Sequence, residues 1–121
     1  MKLRPVYLAV LALSASLAFP AQAQEVRRPY IVQLADQPAA SYEGGIAGMP
    51  ATKPVSGKLN VNAADVQNYI SYLDQKQASV QATVANAEIL HTYKVAFNGF
   101  AALLTDSEVR DLKKNSAVAH I

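Results

Sequence analysis

The order of hydrophobic and polar residues along the chain follows two different periods, and these predict its secondary structure. Residues 30–34 alternate with a period of two, which predicts a strand with Tyr30, Val32 and Leu34 on one face. From residue 63 to about residue 85 the apolar residues recur at helical spacing, so we expect an amphipathic helix there. Its apolar side is interrupted by Gln77 and consists of Val66, Tyr69, Ile70, Leu73, Val80 and Val84.

Two apolar runs after this helix predict a β-hairpin. Residues 88–94 and 99–104 are interpreted as the second and third strands. The dipeptide Asn98-Gly99 stands between them, and these two residue types most readily take positive φ in a tight hairpin turn. In the third strand Phe100 shares a face with two further apolar residues, so we expect its ring to be buried.

The last part of the chain predicts a second helix and a fourth strand. Thr105 and Glu108 have the spacing of a capping box, in which each side chain accepts a hydrogen bond from the backbone N–H of the other. This predicts a helix from residue 106 to about residue 115, and residues 117–121 follow as a strand. The motif that organises this region is Tyr93, Asn98, Gly99, Phe100, Thr105 and Glu108.

The order β-α-β-β-α-β predicts an α+β fold of the ferredoxin-like type. Such a fold has a four-stranded antiparallel sheet with both helices on one face. We assign the domain to residues 30–121 and describe residues 24–29 as a polar lead-in. Residues 35–61 are rich in proline and glycine and have no period, which predicts a long loop that is functional or loosely ordered. Asn62 is expected to cap the first helix.

The N-terminal segment predicts export from the cytoplasm. A basic start precedes an apolar run at residues 6–19, and the small residues Ala21 and Ala23 stand just before Gln24. This is the pattern of a secretory signal peptide, residues 1–23, cleaved between Ala23 and Gln24. The apolar run is shorter than the roughly 20 residues of a membrane-spanning helix, so we expect no membrane association after cleavage. The product is expected to be secreted or periplasmic.

The composition of the chain indicates which kinds of partner the domain can have. The chain has no cysteine, so it lacks the disulfides that usually stabilise small exported domains. A domain of this size buries only about 60–65% of its unfolded surface, which predicts marginal stability and favours a larger partner. The net charge of +2 includes the basic start of the signal peptide. The remainder is near neutral, so we expect no nucleic-acid partner.

The sequence offers no catalytic constellation. His91 and His120 each fall in a predicted strand, and neither has a second ligand at metal spacing, so we expect neither a metal nor a cofactor. The serines lack the glycine-flanked turn of a nucleophile elbow. The two carboxylates of Asp106 and Glu108 are attributed to helix capping and not to a pair for acid–base catalysis. We therefore do not expect this chain to be an enzyme.

The sheet face that the helices leave uncovered is expected to be apolar. An apolar face on a marginally stable domain predicts an interface with another protein. The residues expected on it are Ile31, Ala101, Leu103, Ala119 and Ile121.

Several of these segments resemble a known family, the propeptide domain of subtilisin-like serine proteases, of the inhibitor I9 type. The likeness extends over residues 30–121. In the loop, residues 42–46 and 58–60 look most like larger secreted bacterial members. The segments that carry the resemblance are residues 30–34, residues 93–102, Leu104-Thr105, Leu112 and Ala117-Val118-Ala119.

The resemblance implies a function. Such propeptides precede the protease catalytic domain, act as intramolecular chaperones for its folding, and then inhibit it as a cleaved product. They pack the open sheet face on two surface helices of the protease, and their C-terminal tail lies in the substrate cleft. The Asp-His-Ser triad of the parent subtilisin-like endopeptidase is not in this chain, so the chain is expected to be a truncated precursor or an isolated prodomain.

Two alternatives remain open at the level of sequence. The first is a free-standing secreted inhibitor of subtilisin-type proteases, which acts in trans. The second is an unrelated periplasmic αβ-plait binding module. Inhibition of a subtilisin-like protease by the purified domain distinguishes both inhibitor hypotheses from the binding module.

Overall fold

The computed structural model describes residues 25–121. The expected signal peptide, residues 1–23, and its cleavage site beside Gln24 lie outside the described residues. No helix in the described range is both long enough and apolar enough to span a membrane. In chain order the elements are β1 (Arg28–Leu34), α1 (Ala64–Ala82), β2 (Glu88–Tyr93), β3 (Gly99–Leu104), α2 (Asp106–Lys113) and β4 (Val118–His120).

The four strands form one antiparallel sheet in the order β2-β3-β1-β4. β1 and β3 are therefore the central strands, and Ile31 of β1 lies opposite Ala101 of β3. Side chains from both helices pack in one cluster with the sheet, which places the helices on the same face. This is the ferredoxin-like arrangement that the element order predicted, and the predicted fold class is confirmed.

The main core lies between the sheet and the two helices. Alternation along β1 and β3 directs Val32 and Phe100 into this core, and both are fully buried. The predicted burial of Phe100 is therefore confirmed. The core cluster consists of Val32, Leu34, Val80, Val84, Phe100, Ala102, Leu104, Val109 and Leu112.

A second buried cluster lies under the long loop at residues 35–61. The Tyr42 ring stacks on the ring of Tyr69 in α1, with centroids 3.9 Å apart and planes inclined by 10°. The Tyr42 hydroxyl donates to the Met49 carbonyl at 2.8 Å and accepts from the Ile46 N–H at 3.0 Å. The loop is thus ordered by a tyrosine that closes a turn within the loop and also anchors it to α1.

The start of α1 differs from the prediction, because Asn62 does not cap it. The N-cap is Ala63, which makes no side-chain hydrogen bond. Asn60 accounts for the difference. Its carbonyl accepts from the Ala63 N–H at 3.2 Å, and its side-chain oxygen accepts from the Asn62 N–H at 3.0 Å. A turn therefore occupies the position at which a capping side chain was expected.

Several other element boundaries also shift. α1 ends at Ala82, before the predicted residue 85, with Thr83 as its C-cap. The Thr83 hydroxyl donates to the Val80 carbonyl at 2.7 Å and so occupies an acceptor near the helix end. β1 begins at Arg28, inside the segment predicted as a polar lead-in, and β2, α2 and β4 are shorter than predicted.

The predicted capping box at the start of α2 is present. The Glu108 N–H donates to the Thr105 hydroxyl at 3.2 Å, and the Thr105 N–H donates to Glu108 Oε1 at 2.9 Å. Arg27 pairs with the same Glu108 oxygen at 2.6 Å. Glu25 accepts hydrogen bonds from the hydroxyl and the backbone N–H of Ser107, and these bonds hold the pKa of Glu25 below its ordinary value. The lead-in is thereby tied to the N-terminus of α2.

Candidate functional site: the open face of the sheet

The side of the sheet opposite the helices is the candidate functional site. Alternation along the strands and the strand register place mostly apolar side chains on it, with the acidic Glu88 of the edge strand β2 opposite Leu103. Ile31 is 58% exposed, although it lies in a central strand of the sheet. Exposed apolar residues that cluster in this way are typical of interaction surfaces. We name this surface the open face, defined by Ile31, His91, Tyr93, Phe97, Ala101 and Leu103.

A β-bulge in β2 brings part of this set to the open face. The pairing with β3 passes from Ile89, opposite Ala102, to His91, opposite Ala101, so Leu90 is the extra residue. An extra residue inverts the alternation of the strand after the bulge. Without the bulge, the histidine and the tyrosine that ends β2 would point toward the helices.

Two aromatic rings and an isoleucine form a shallow depression on the open face. Ile31, Tyr93 and Phe97 line this depression, which has a volume of about 240 Å³. The Tyr93 and Phe97 rings meet edge to face, with centroids 6.0 Å apart and planes inclined by 70°. Gly99 permits this geometry, because a Cβ there would lie 2.7 Å from the Phe97 ring and 2.1 Å from the Val32 carbonyl oxygen.

The Asn98-Gly99 dipeptide is not the tight turn that the sequence predicted. Residues 94–98 form a longer connection, neither residue of the dipeptide has positive φ, and Gly99 is the first residue of β3. Asn98 is buried. Its side-chain amide donates to the Asp36 carbonyl at 3.0 Å, and its Oδ1 accepts from Gln77 Nε2 at 2.9 Å. Asn98 is a buried anchor, and Gly99 allows β3 to lie close to the backbone of β1 at Val32.

The residues expected to face a partner divide into two groups. Ile31, Ala101 and Leu103 belong to the open face, and Ala119 is exposed in β4. Ile121, in contrast, packs against the core cluster on the helix side of the sheet. The pairing of β1 with β4 contains an irregularity of register, which breaks the simple alternation near the end of the chain. The open face therefore does not include Ile121.

The ionisable groups of the described chain have structural roles or lie at the surface. Within residues 25–121 no three side chains of His, Cys, Asp or Glu come together to hold a metal ion. His91 and His120 are exposed. Burial raises the pKa of Tyr69, whose hydroxyl donates to the Gln37 carbonyl under the long loop. That tyrosine is a structural anchor for the loop and not an ionised nucleophile.

Comparison with known proteins identifies one family. A protein-family model described as peptidase inhibitor I9 matches residues 29–121. Neither a curated protein nor a solved structure matches the chain significantly. The matched range contains the whole open face, both buried clusters and the long loop.

Proposed function

Because the chain belongs to the peptidase inhibitor I9 family, we propose that it is the propeptide of a secreted subtilisin-like serine protease. In this role the domain acts as an intramolecular chaperone and as a product-like inhibitor of the protease catalytic domain, in cis or in trans. The family is a non-catalytic family of protease-inhibiting propeptides. Inhibition, and not catalysis, is therefore the activity assigned to this chain.

The open face is the observation that carries the proposal. Its central residue, Ile31, exposes 58% of its surface, and the acidic Glu88 lies at the edge of this surface, opposite Leu103. Removing such a surface from water favours association, and this gain offsets part of the entropy that the two partners lose on binding. The depression between Ile31, Tyr93 and Phe97 offers a place for an apolar side chain of the partner. Ala101 and Leu103 continue the apolar strip along β3.

Binding to the folded catalytic domain is sufficient to explain how a propeptide assists the folding of that domain. A domain that binds only the native-like catalytic domain stabilises that state by mass action. If the same protease surface is already formed in the transition state for folding, the bound domain also accelerates folding. Chaperone and inhibitor activities thus use one docking surface.

The test compares two variants of the purified protein by their inhibition constants against a subtilisin-like protease. Ile31→Asp places a charge at the centre of the open face. Val55→Asp makes an equivalent change at an exposed residue of the long loop and is the matched control. We expect Ile31→Asp to weaken inhibition by tenfold or more, which corresponds to about 1.4 kcal/mol, because the complex would bury an unpaired charge. Val55→Asp should inhibit like the wild type.

Two results would contradict the proposal. If the wild-type protein neither binds nor inhibits subtilisin-like proteases, the assigned partner is wrong. If both aspartate variants inhibit equally well, the docking surface is not the open face. Refolding of the denatured catalytic domain with and without the purified protein separates the propeptide from a free-standing inhibitor, because a higher yield of active protease is expected only of the chaperone.

A further inference from the structure

Asn98 and Gly99 form the dipeptide in which asparagine loses its side-chain amide most readily. In this reaction the backbone nitrogen of the following residue attacks the side-chain carbonyl carbon. Glycine hinders that approach least, because it has no Cβ. Asn98 is the only asparagine of the chain that glycine follows. The sequence therefore places its most reactive asparagine immediately before β3.

The folded domain holds the Asn98 side chain in a position from which it cannot react. Asn98 is 1% exposed, its amide nitrogen donates to the Asp36 carbonyl at 3.0 Å, and its Oδ1 accepts from Gln77 Nε2 at 2.9 Å. Its backbone carbonyl accepts from the Leu34 N–H at 2.9 Å. Attack by the Gly99 nitrogen requires the side chain to rotate out of these bonds, and water must also reach the buried site. Both conditions require the domain to open.

Gly99, which supplies the attacking nitrogen, is also fixed in the folded domain. It is the first residue of β3 and lies opposite Gln33 of β1 and Tyr93 of β2. A Cβ at this position would lie 2.1 Å from the Val32 carbonyl oxygen, so the backbone of β1 passes directly against it. The nitrogen therefore cannot shift toward the Asn98 side chain unless the central strands separate.

We propose that Asn98 is a deamidation site that is closed in the folded domain and open in the unfolded chain, and that deamidation prevents refolding. The Gly99 backbone nitrogen forms a bond to Cγ of Asn98, and ammonia leaves with the proton that this nitrogen gives up. Water then adds across either C–N bond of the resulting cyclic imide within the chain, which yields aspartate or isoaspartate. The net reaction consumes one water and releases one ammonia, and nothing is oxidised or reduced.

Neither product fits the site that Asn98 occupies. An ionised aspartate has no N–H to donate to the Asp36 carbonyl, and it places a negative charge in a buried position. In isoaspartate the main chain passes through Cβ and is one carbon longer. The carbonyl that accepts from Leu34 then becomes a branch, next to the close approach of the strands at Gly99. Both products therefore destabilise the fold that protects the amide.

The biological consequence rests on the proposed function. A bound protease stabilises the folded domain by mass action, so the bound domain keeps Asn98 closed. A free domain of this small size opens more often, and each opening exposes Asn98 to deamidation. The free inhibitor is therefore lost with time while the bound inhibitor persists.

The first experiment compares a buried and an exposed asparagine–glycine dipeptide in one molecule. Ser56→Asn in the full chain creates the exposed dipeptide, because Ser56 and Gly57 are both exposed in the long loop. The folded protein is incubated at weakly basic pH, and peptide mass spectrometry measures the loss of amide at both positions. We expect deamidation at position 56 to be at least about tenfold faster than at Asn98, because a buried site reacts only in the open fraction of molecules.

The same variant is then incubated in guanidinium chloride at the same pH. The two rates should become similar, since both dipeptides are exposed in the unfolded chain. Equal rates in the folded protein would overturn the proposal, because the fold would then give no protection. A reaction at Asn98 that stays slow in guanidinium chloride would overturn it as well.

A second measurement tests the loss of refolding. The unmodified protein is kept in guanidinium chloride at weakly basic pH until Asn98 is deamidated. A control sample is kept there for the same time at mildly acidic pH, where this reaction is slow. Both samples are diluted into one native buffer and followed by circular dichroism.

The control sample is expected to refold and the deamidated sample to remain unfolded. A deamidated sample that regains the native spectrum and the native urea midpoint would overturn the second half of the proposal. Neither measurement contains a protease, so failure of the proposed function would be recognised separately.

Discussion

The side-chain amide of Gln77 donates to the side-chain oxygen of Asn98 at 2.9 Å, and both residues are almost completely buried. The same Gln77 nitrogen donates to the Tyr93 carbonyl at 2.7 Å, and the Asn98 amide donates to the Asp36 carbonyl at 3.0 Å. This polar network links α1, the connection between β2 and β3, and the residues after β1. It thereby holds the connection that carries Phe97 onto the open face.

We predict that Asn98→Ala destabilises the domain by about 2–3 kcal/mol, because a buried group that loses its partner costs about 1–3 kcal/mol. The substitution leaves the Asp36 carbonyl and the Gln77 amide without the bonds that Asn98 provides. Urea denaturation measures the change in the free energy of unfolding. Asn86→Ala is the control, since Asn86 is exposed in the turn after α1. Equal stability of the two variants would show that the network contributes little.

The sequence predicted most of the fold because its signals were local. Alternation in β1, the apolar stripe of α1 and the capping box at Thr105 each depend on neighbouring residues, and all three are present. The Asn98-Gly99 signal was equally local but misleading. The dipeptide Asn-Gly can form a hairpin turn, or its asparagine can be a buried anchor just before a strand. Here the second structure forms because the Asn98 side chain bonds to Asp36 and Gln77, which are distant in sequence.

The open face was predicted only in part for a similar reason. Ile31, Ala101 and Leu103 follow from simple alternation, so the sequence identified them. Tyr93 and His91 reach the open face because of the bulge in β2. No local residue pattern predicts that Leu90 is an extra residue in this strand. The aromatic part of the surface therefore does not follow from simple alternation.

We predict opposite consequences for two phenylalanines in the same region. Phe100→Ala should cost about 3–5 kcal/mol of stability through lost transfer energy and cavity formation. Phe100 is fully buried, whereas Phe97 lies on the open face. Phe97→Ala should therefore change the urea midpoint much less but weaken inhibition of the partner protease. A Phe100→Ala variant as stable as Phe97→Ala would contradict the assignment of the two sheet faces.

We predict that Gly99→Ala destabilises the domain more than an alanine substitution at a glycine that has free space around it. A Cβ at Gly99 would lie 2.1 Å from the Val32 carbonyl oxygen, so the central strands must separate locally. We expect a cost of about 2–3 kcal/mol or more, typical of forced overpacking. Gly45→Ala meets no atom within 4 Å and carries only the strain of its φ of +109°, about 1–2 kcal/mol. Thermal unfolding of both variants tests the difference, and a smaller loss for Gly99→Ala would contradict the close approach.

The last prediction concerns acid stability and the tie between the lead-in and α2. Hydrogen bonds from Ser107, first its hydroxyl and then its backbone N–H, lower the pKa of Glu25 from its ordinary value of 4.5. A carboxyl group with a depressed pKa in the folded state stabilises that state above pH 4.5, and this contribution is lost as the pH falls through the lower, folded-state pKa. Glu25→Gln removes the titrating group. The difference in unfolding free energy between wild type and Glu25→Gln should therefore be constant at neutral pH and shrink as the solution is acidified below pH 4.5.

Urea denaturation at a series of pH values measures this difference, and Ser107→Ala provides the matched comparison. Without the hydroxyl donor, the pKa of Glu25 should move back toward its ordinary value, so the pH-dependent part of the difference should become smaller in that background. The backbone N–H of residue 107 remains, and some pH dependence should remain with it. A difference between wild type and Glu25→Gln that stays constant through the acidic range would show that Glu25 is not held at the start of α2 in solution.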